Sequence, residues 1–304
     1  MPFRDQYQIQ VRLLMRLLPI VAKETCFALK GGTAINLFFR DLPRLSVDID
    51  LMYLPVNDRP MALAEINAAM TRIKEEITAS LPGSRIRENV QEGAIIRLHV
   101  LAEETQVKVE VSPVLRGVVK EPSVLPVTEA VEEMFGFSET SVVSFEDLFA
   151  GKLVAALDRQ HPRDLFDVRG LLSNEGLSDE LREAFIVYLL SHHRPMGEVL
   201  SGRVKDLENE YRNGFEGMTE DVIDIDELIS TQTEMIDLLI GKMPDRHRKF
   251  LIDFESGAPD WSMLNIGDAA MLPAVRWRQL NLDKLKADKR IALVDLLKSS
   301  LGYE

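Results

Sequence analysis

Between residues 46 and 51 the chain reads Ser46-Val47-Asp48-Ile49-Asp50-Leu51, and this hexapeptide constrains it more than any other. Apolar and acidic residues alternate with the period of a β-strand, so Val47, Ile49 and Leu51 face a core while Asp48 and Asp50 share the opposite face. Two strand rises separate the aspartates by about 6.6 Å. Like charges that close repel, and one of them takes up a proton unless a cation lies between them. A divalent ion resolves the conflict, and hard carboxylate oxygens suit Mg²⁺. Phosphoryl-transfer sites use such ions to neutralise developing charge and to align attacking and leaving oxygens. An isolated pair of this kind also describes a solvated strand face. The upstream Gly31-Gly32-Thr33 favours the chemical reading, because glycines before a helix let backbone N–H groups approach a phosphate. Thr33 is placed to add a hydroxyl contact.

The surrounding pattern predicts an α+β fold with a small mixed sheet. An amphipathic helix runs through Val11–Leu18, an apolar run at 26–29 includes Cys26 as a core residue, and a helical stretch covers 33–40. Residues 60–79 form a helix with Leu63, Ile66, Met70, Ile73 and Ile77 on one face. Two alternating runs, Ala94–Leu101 and Gln106–Val111, predict a hairpin turning at Glu103-Glu104. A first domain over residues 1–140 follows. Residues 141–304 are expected to be a helical second domain, opened by Ser144 as N-cap with Asp147 three residues on. Its further helices are expected near 162–173, 178–190, 220–240, 244–255, 272–281 and 289–300.

With 304 residues the chain has length for about two domains. One cysteine excludes an internal disulfide framework and a cysteine-built zinc site, and it fits a reducing, cytoplasmic setting. No apolar run approaches the roughly 18 residues of a membrane span. The formal net charge of −13 argues against indiscriminate coating of nucleic acid. That charge is unevenly placed. Residues 206–237 hold eleven acidic side chains and one arginine, whereas residues 272–298 hold seven basic and three acidic ones.

Two blocks resemble a known family. Leu29-Lys30-Gly31-Gly32-Thr33-Ala34-Ile35-Asn36 followed by Arg44-Leu45-Ser46-Val47-Asp48-Ile49-Asp50-Leu51 is similar to the first motif of the AbiEii/AbiGii toxins, polymerase-β-like nucleotidyltransferases of type IV toxin–antitoxin systems. Phe145-Glu146-Asp147-Leu148-Phe149-Ala150-Gly151-Lys152-Leu153, then Asp158-Arg159 and Arg163-Asp164-Leu165-Phe166-Asp167, matches a later block, and Leu272–Trp277 is similar to the family's tail.

The resemblance implies that Asp48 and Asp50 are metal ligands, and that Gly31, Gly32 and Ser46 hold the phosphates of an NTP co-substrate. Members of the superfamily often carry a third carboxylate on a later strand. Glu110 is the candidate here, beside Lys108 on the polar face of Val107–Val111, where pairing with Lys108 is the competing account. Lys152 becomes a cation for the triphosphate, although a lysine in an apolar helix also snorkels to its rim. Arg159 and Arg163 join it on the nucleotide, with Asp164 orienting Lys152 or Arg159. Asp167, three residues from Asp164, reads as a structural ion-pair partner. His192-His193-Arg194 reads as surface or nucleic-acid-facing.

The implied reaction is transfer of NMP from an NTP, with Mg²⁺ or Mn²⁺, to an RNA acceptor such as the tRNA 3′ end, blocking translation. The second domain would complete the NTP site and contact the acceptor. A cognate antitoxin is the implied partner. Residues 272–298, with Asp245-Arg246-His247-Arg248-Lys249, offer a basic surface for the RNA. Two other readings stand beside this one: a small-molecule, aminoglycoside-type nucleotidyltransferase and a non-catalytic nucleotide-binding regulatory module.

Overall fold

The computed structural model describes residues 5–202, 205–219 and 222–303. The chain is α+β and divides into two units, residues 1–144 with 216–222, and residues 145–215 with 223–304.

The first unit is built on a seven-stranded mixed sheet. Its strands are β1 (Phe27–Lys30), β2 (Asp48–Tyr53), β3 (Arg85–Gln91), β4 (Ala94–Ala102), β5 (Thr105–Arg116), β6 (Ser123–Pro126) and β7 (Glu139–Val142), in the order β3-β4-β5-β2-β1-β7-β6. β2 lies at the centre, antiparallel to β1 and parallel to β5. Helix α1 (Asp5–Val21) packs on β5 and α3 (Arg59–Ser80) on β4, while the short α4 (Glu129–Phe135) lies between β6 and β7 in the chain. Ile49, Leu51, Leu98, Val100, Val107, Val109 and Val111 are all buried. Because alternate residues point to opposite faces, the residues between them line up on the other face: Asp48 and Asp50, Arg97 and His99, Lys108 and Glu110.

Helix α3 matches its expected span and begins with Asp58 accepting from Met61 N–H at 2.8 Å. Of its predicted apolar face, Ile66, Met70, Ile73 and Ile77 are buried while Leu63 is half-buried, and Ala62 and Ala69 complete the contact. The β4–β5 hairpin turns at Glu103-Glu104, both with positive φ. β3 has no counterpart in the sequence reading: it is an edge strand whose side chains are almost all exposed, so burial never imposes a pattern on it. The expected helix at 33–40 is a short α2 (Gly31–Ala34) continuing into a π-helical turn, Ile35–Phe39. Cys26 is half-buried rather than core, and burial pushes its thiol up to about 11.

Met218 and Thr219 join this unit through backbone pairing. Leu45 N–H donates to the Met218 carbonyl at 2.8 Å and Arg44 bridges Thr219. No local pattern announces this return, because the pairing joins segments more than 170 residues apart.

The second unit is helical. Around α5 (Phe145–Asp158), α6 (Pro162–Asn174) and α7 (Asp179–Leu190) stand α8 (Met196–Val199), α9 (Glu208–Gly214), α10 (Ile225–Ile236), α11 (Asp245–Ser256), α12 (Pro273–Asp283) and α13 (Ala287–Leu301), alongside short 3-10 and π-helical turns. Phe149, Phe185, Phe250 and Phe254 are fully buried in it. The expected helix at 220–240 begins only at Ile225; Glu220 and Asp221 lie outside the described residues. Among the described residues, no helix is long and apolar enough to cross a membrane.

Candidate active site

The glycine turn and the two aspartates meet at one end of β1 and β2. Gly31 has φ +75°, a left-handed conformation that other residues adopt only under strain. A Cβ there would lie 2.5 Å from Asp50 Oδ2, so the missing side chain is what lets this carboxylate rest against the turn. A Cβ on Gly32 would meet Arg44 Nη2 at 2.7 Å and Ser46 Oγ at 2.9 Å. Asn36 Nδ2 donates to the Gly32 carbonyl at 2.8 Å and braces the turn from below. Thr33 is fully buried, donates to the Asp48 carbonyl and lies 3.0 Å from Ser46 Oγ. Its hydroxyl thus forms a joint between turn and strand.

Arg44 is a residue to which the sequence reading assigned no role. Its backbone N–H reaches Asn36 Oδ1 at 3.4 Å and its Nη1 donates to the Leu45 carbonyl at 3.0 Å, leaving the guanidinium buried against Gly32. A charged side chain that close to a glycine turn is a signal the motif did contain, since Arg44 stands two residues before Ser46.

Around the aspartates the sheet register sets the electrostatics. Asp48 stands in register with Lys108 and Asp50 with Glu110 on β5, while Lys30 on β1 faces Asp50 from the other side. Lys108 Nζ lies 2.9 Å from Asp48 Oδ2. Glu110 is not Lys108's partner: Arg97, opposite it on β4, grips both its oxygens, Nε to Oε2 at 2.9 Å and Nη2 to Oε1 at 2.5 Å. These groups are about one-third exposed. Among the described residues no group of three or more acidic, histidine or cysteine side chains is gathered as a metal site.

The second unit holds the later block as a buried ionic knot. Lys152 on α5 contacts Asp164 Oδ1 at 2.8 Å and Asp167 Oδ2 at 2.9 Å, both from the next turnings of α6. Arg159 Nε reaches Asp164 Oδ2 at 2.5 Å. Asp164 therefore contacts Lys152 and Arg159 together. Burial pushes its carboxyl up, but Lys152 and Arg159 outweigh that and hold it well below the usual carboxylate range. Lys152 is only 6% exposed whereas the Arg159 side chain is 62% exposed. Helix α6 opens with His161 accepting from Arg163 N–H at 3.1 Å, which places Arg163 on its first turn.

Several of the remaining basic candidates are held by internal contacts. Arg278 is buried against Glu255 and donates to the His192 and Arg194 carbonyls. Arg290 donates to the Leu282 carbonyl, Arg248 to those of Ile240, Gly241, Met243 and Leu301, and Arg246 pairs with Glu183. His247 is fully buried. Arg276, Lys284, Lys286 and Lys289 stay exposed, as do Arg246 and Lys249 beside their carboxylate partners Glu183 and Asp253, so the expected basic surface is smaller than the sequence implied. His192 stacks on His193, and Asp158 pairs with Arg194 at 2.5 Å.

The family model for the nucleotidyl transferase AbiEii toxin of type IV toxin–antitoxin systems matches residues 12–278. The chain belongs to this family. Among solved structures it is similar to MenT4, a nucleotidyltransferase toxin from Mycobacterium tuberculosis H37Rv. That match has 15% identity and a TM-score of 0.54, covering 98% of this chain and 94% of MenT4. At that identity the likeness concerns the fold. Terminal uridylyl transferase 4 from Trypanosoma brucei, solved with bound dUTP, aligns at 11% identity and a TM-score of 0.32, covering 97% and 93% of the two chains. No protein of curated function matches the sequence. Membership of the AbiEii family makes the chain a nucleotidyltransferase enzyme with an NTP as substrate.

Proposed function

We propose that this AbiEii-family chain transfers NMP from an NTP to an RNA acceptor, the tRNA 3′ end, with Mg²⁺ or Mn²⁺, and thereby blocks translation in the cytoplasm. The observation that carries this reading is the seating of the Asp48 and Asp50 pair beside a glycine turn whose missing Cβ leaves room for the Asp50 carboxylate. Two hard carboxylates on one strand face are the residues that would hold a divalent ion. When bound, that ion would neutralise charge developing on the phosphates.

The chain's own groups divide the remaining work. The backbone N–H groups of the Gly31-Gly32 turn, at a helix N-terminus, favour phosphate oxygens. Ser46 and Arg44 flank Gly32 and orient that turn. The acceptor hydroxyl oxygen bonds to the α-phosphorus, pyrophosphate departs, and the hydroxyl proton is lost to water. Glu110, with both oxygens held by Arg97, supplies fixed negative charge rather than a third metal ligand. In the second unit Arg159 is the group with the exposure to meet a phosphate; Lys152 acts by holding Asp164 ionised. Exposed Arg276, Lys284, Lys286 and Lys289 are the basic groups available to RNA, and binding through them should weaken steeply with salt.

Incubating the protein with Mg²⁺, each α-labelled NTP and total RNA tests this. Label in tRNA, lost in Asp48→Ala, is the expected result. Label on an aminoglycoside would select the small-molecule reading, and no transfer to any acceptor would select the nucleotide-binding module. Growth arrest on expression, relieved by a neighbouring gene, would identify the antitoxin partner.

A further inference from the structure

Three carboxylates share the polar face of the sheet, and Arg97 and Lys108 on neighbouring strands answer two of them in different ways. Arg97 holds Glu110 through two parallel contacts of 2.9 and 2.5 Å. Such a planar fork fixes its partner's geometry as well as its charge. Lys108 holds Asp48 through one contact of 2.9 Å, from a side chain that is 38% exposed. An ammonium on a four-carbon stem is a mobile point charge that can leave without unmaking a fork. The fully engaged carboxylate is thus Glu110, and the exchangeable one is Asp48.

We propose that Lys108 is an internal counter-ion occupying the Asp48 carboxylate in the metal-free protein, and that a divalent cation must displace it to bind. Lys108 is on this account a positioning residue that sets the metal affinity of the site. The proposal rests on the reading of Asp48 and Asp50 as metal ligands, and it adds what that reading lacks. The like charges on β2 are tolerated before metal arrives because the parallel register with β5 delivers an ammonium to the first of them. The ammonium and the metal compete for the same oxygen, so the metal-free site is stable at the expense of its affinity.

Titration of the full-length protein with Mn²⁺ alone, following free ion by electron paramagnetic resonance, reads this directly and without turnover. Lys108→Met keeps the apolar stem and removes the charge. It should bind Mn²⁺ more tightly by on the order of fivefold, the equivalent of a partly exposed ion pair. Lys108→Gln should shift the affinity the same way and serves if the methionine variant folds poorly, while Lys108→Arg should leave it unchanged or weaker. Adding Asp48→Asn to Lys108→Met should erase the gain. Equal affinity in the wild type, Lys108→Met and Lys108→Gln, with Asp48→Asn still weakening binding, would overturn the counter-ion role and leave the metal site standing. Binding that ignores Asp48→Asn in every background would overturn the metal reading itself.

Discussion

Two ionic clusters in this chain use the same materials to opposite ends. On the sheet of the first unit, Asp48, Glu110, Lys108 and Arg97 are about one-third exposed and meet solvent. Between α5 and α6 of the second unit, Lys152, Asp164 and Asp167 are between 1% and 6% exposed and are ion-paired with one another and with Arg159. Exposed pairs contribute little to stability because water competes for both partners. Removing one member of a buried pair strands an uncompensated charge in a poor solvent for it. The first cluster can therefore exchange partners with a ligand, while the second can only hold.

The sharpest way to break that contrast is to remove the lysine from each. Lys152→Met should destabilise the protein by about 3–5 kcal/mol in urea unfolding, and Lys108→Met by less than about 1 kcal/mol. Similar losses at the two sites would mean that burial is not what separates them. A second test targets chemistry. Asp48→Asn should lower nucleotidyl transfer by roughly 10²–10³-fold, the scale of losing one preorganised charged group, with the thermal midpoint unchanged. Transfer that persists would place the reacting centre elsewhere.

Smaller effects sharpen the picture of the glycine turn. Gly31→Ala and Gly83→Ala both force an alanine into positive φ, +75° and +86°, and each should cost about 1–2 kcal/mol. Only Gly31→Ala also drives a methyl into the Asp50 carboxylate, whereas the space at Gly83 is open. Transfer activity should therefore fall in the first variant alone; equal activities would remove the turn from the site.

The mildest prediction concerns pH. Burial, helped by nearby Arg246, pulls His247 below its ordinary value against the opposing pull of Glu183. The unfolded chain then takes up a proton that the folded one refuses, so stability falls as pH drops through about 6.5. His247→Gln should flatten the dependence of the thermal midpoint between pH 7.5 and 5.5, and an unaltered slope would count against it. Asp164, held low, loses its contribution only at more acid pH, below the ordinary carboxylate range.

Much of the site was legible because its parts are local. A period of two puts Asp48 and Asp50 on one face whatever surrounds them, and adjacent glycines mark the turn. Even the Arg97–Glu110 pair was within reach. A two-residue turn at Glu103-Glu104 fixes the antiparallel register, and that register sets Arg97 opposite Glu110 and His99 opposite Lys108. The basic segment at 272–298 offers fewer free cations than its composition implies, for the converse reason. Composition counts charges, but Arg278 and Arg290 are turned onto backbone carbonyls by packing that no count can see.

What the sequence determined by itself, then, is every feature set by neighbours along the chain: the strand faces, the hairpin and its register, the glycine turn, and the Asp164–Asp167 spacing on one helix. Tertiary structure alone decided that Lys108 meets Asp48, that Lys152 is closed in by both α6 aspartates, and that Met218 and Thr219 pair beside Leu45 and Arg44. The parallel strands β2 and β5 are separated by α3, β3 and β4. No turn of fixed length links them, so their register is set by how the whole sheet packs on α1 and α3.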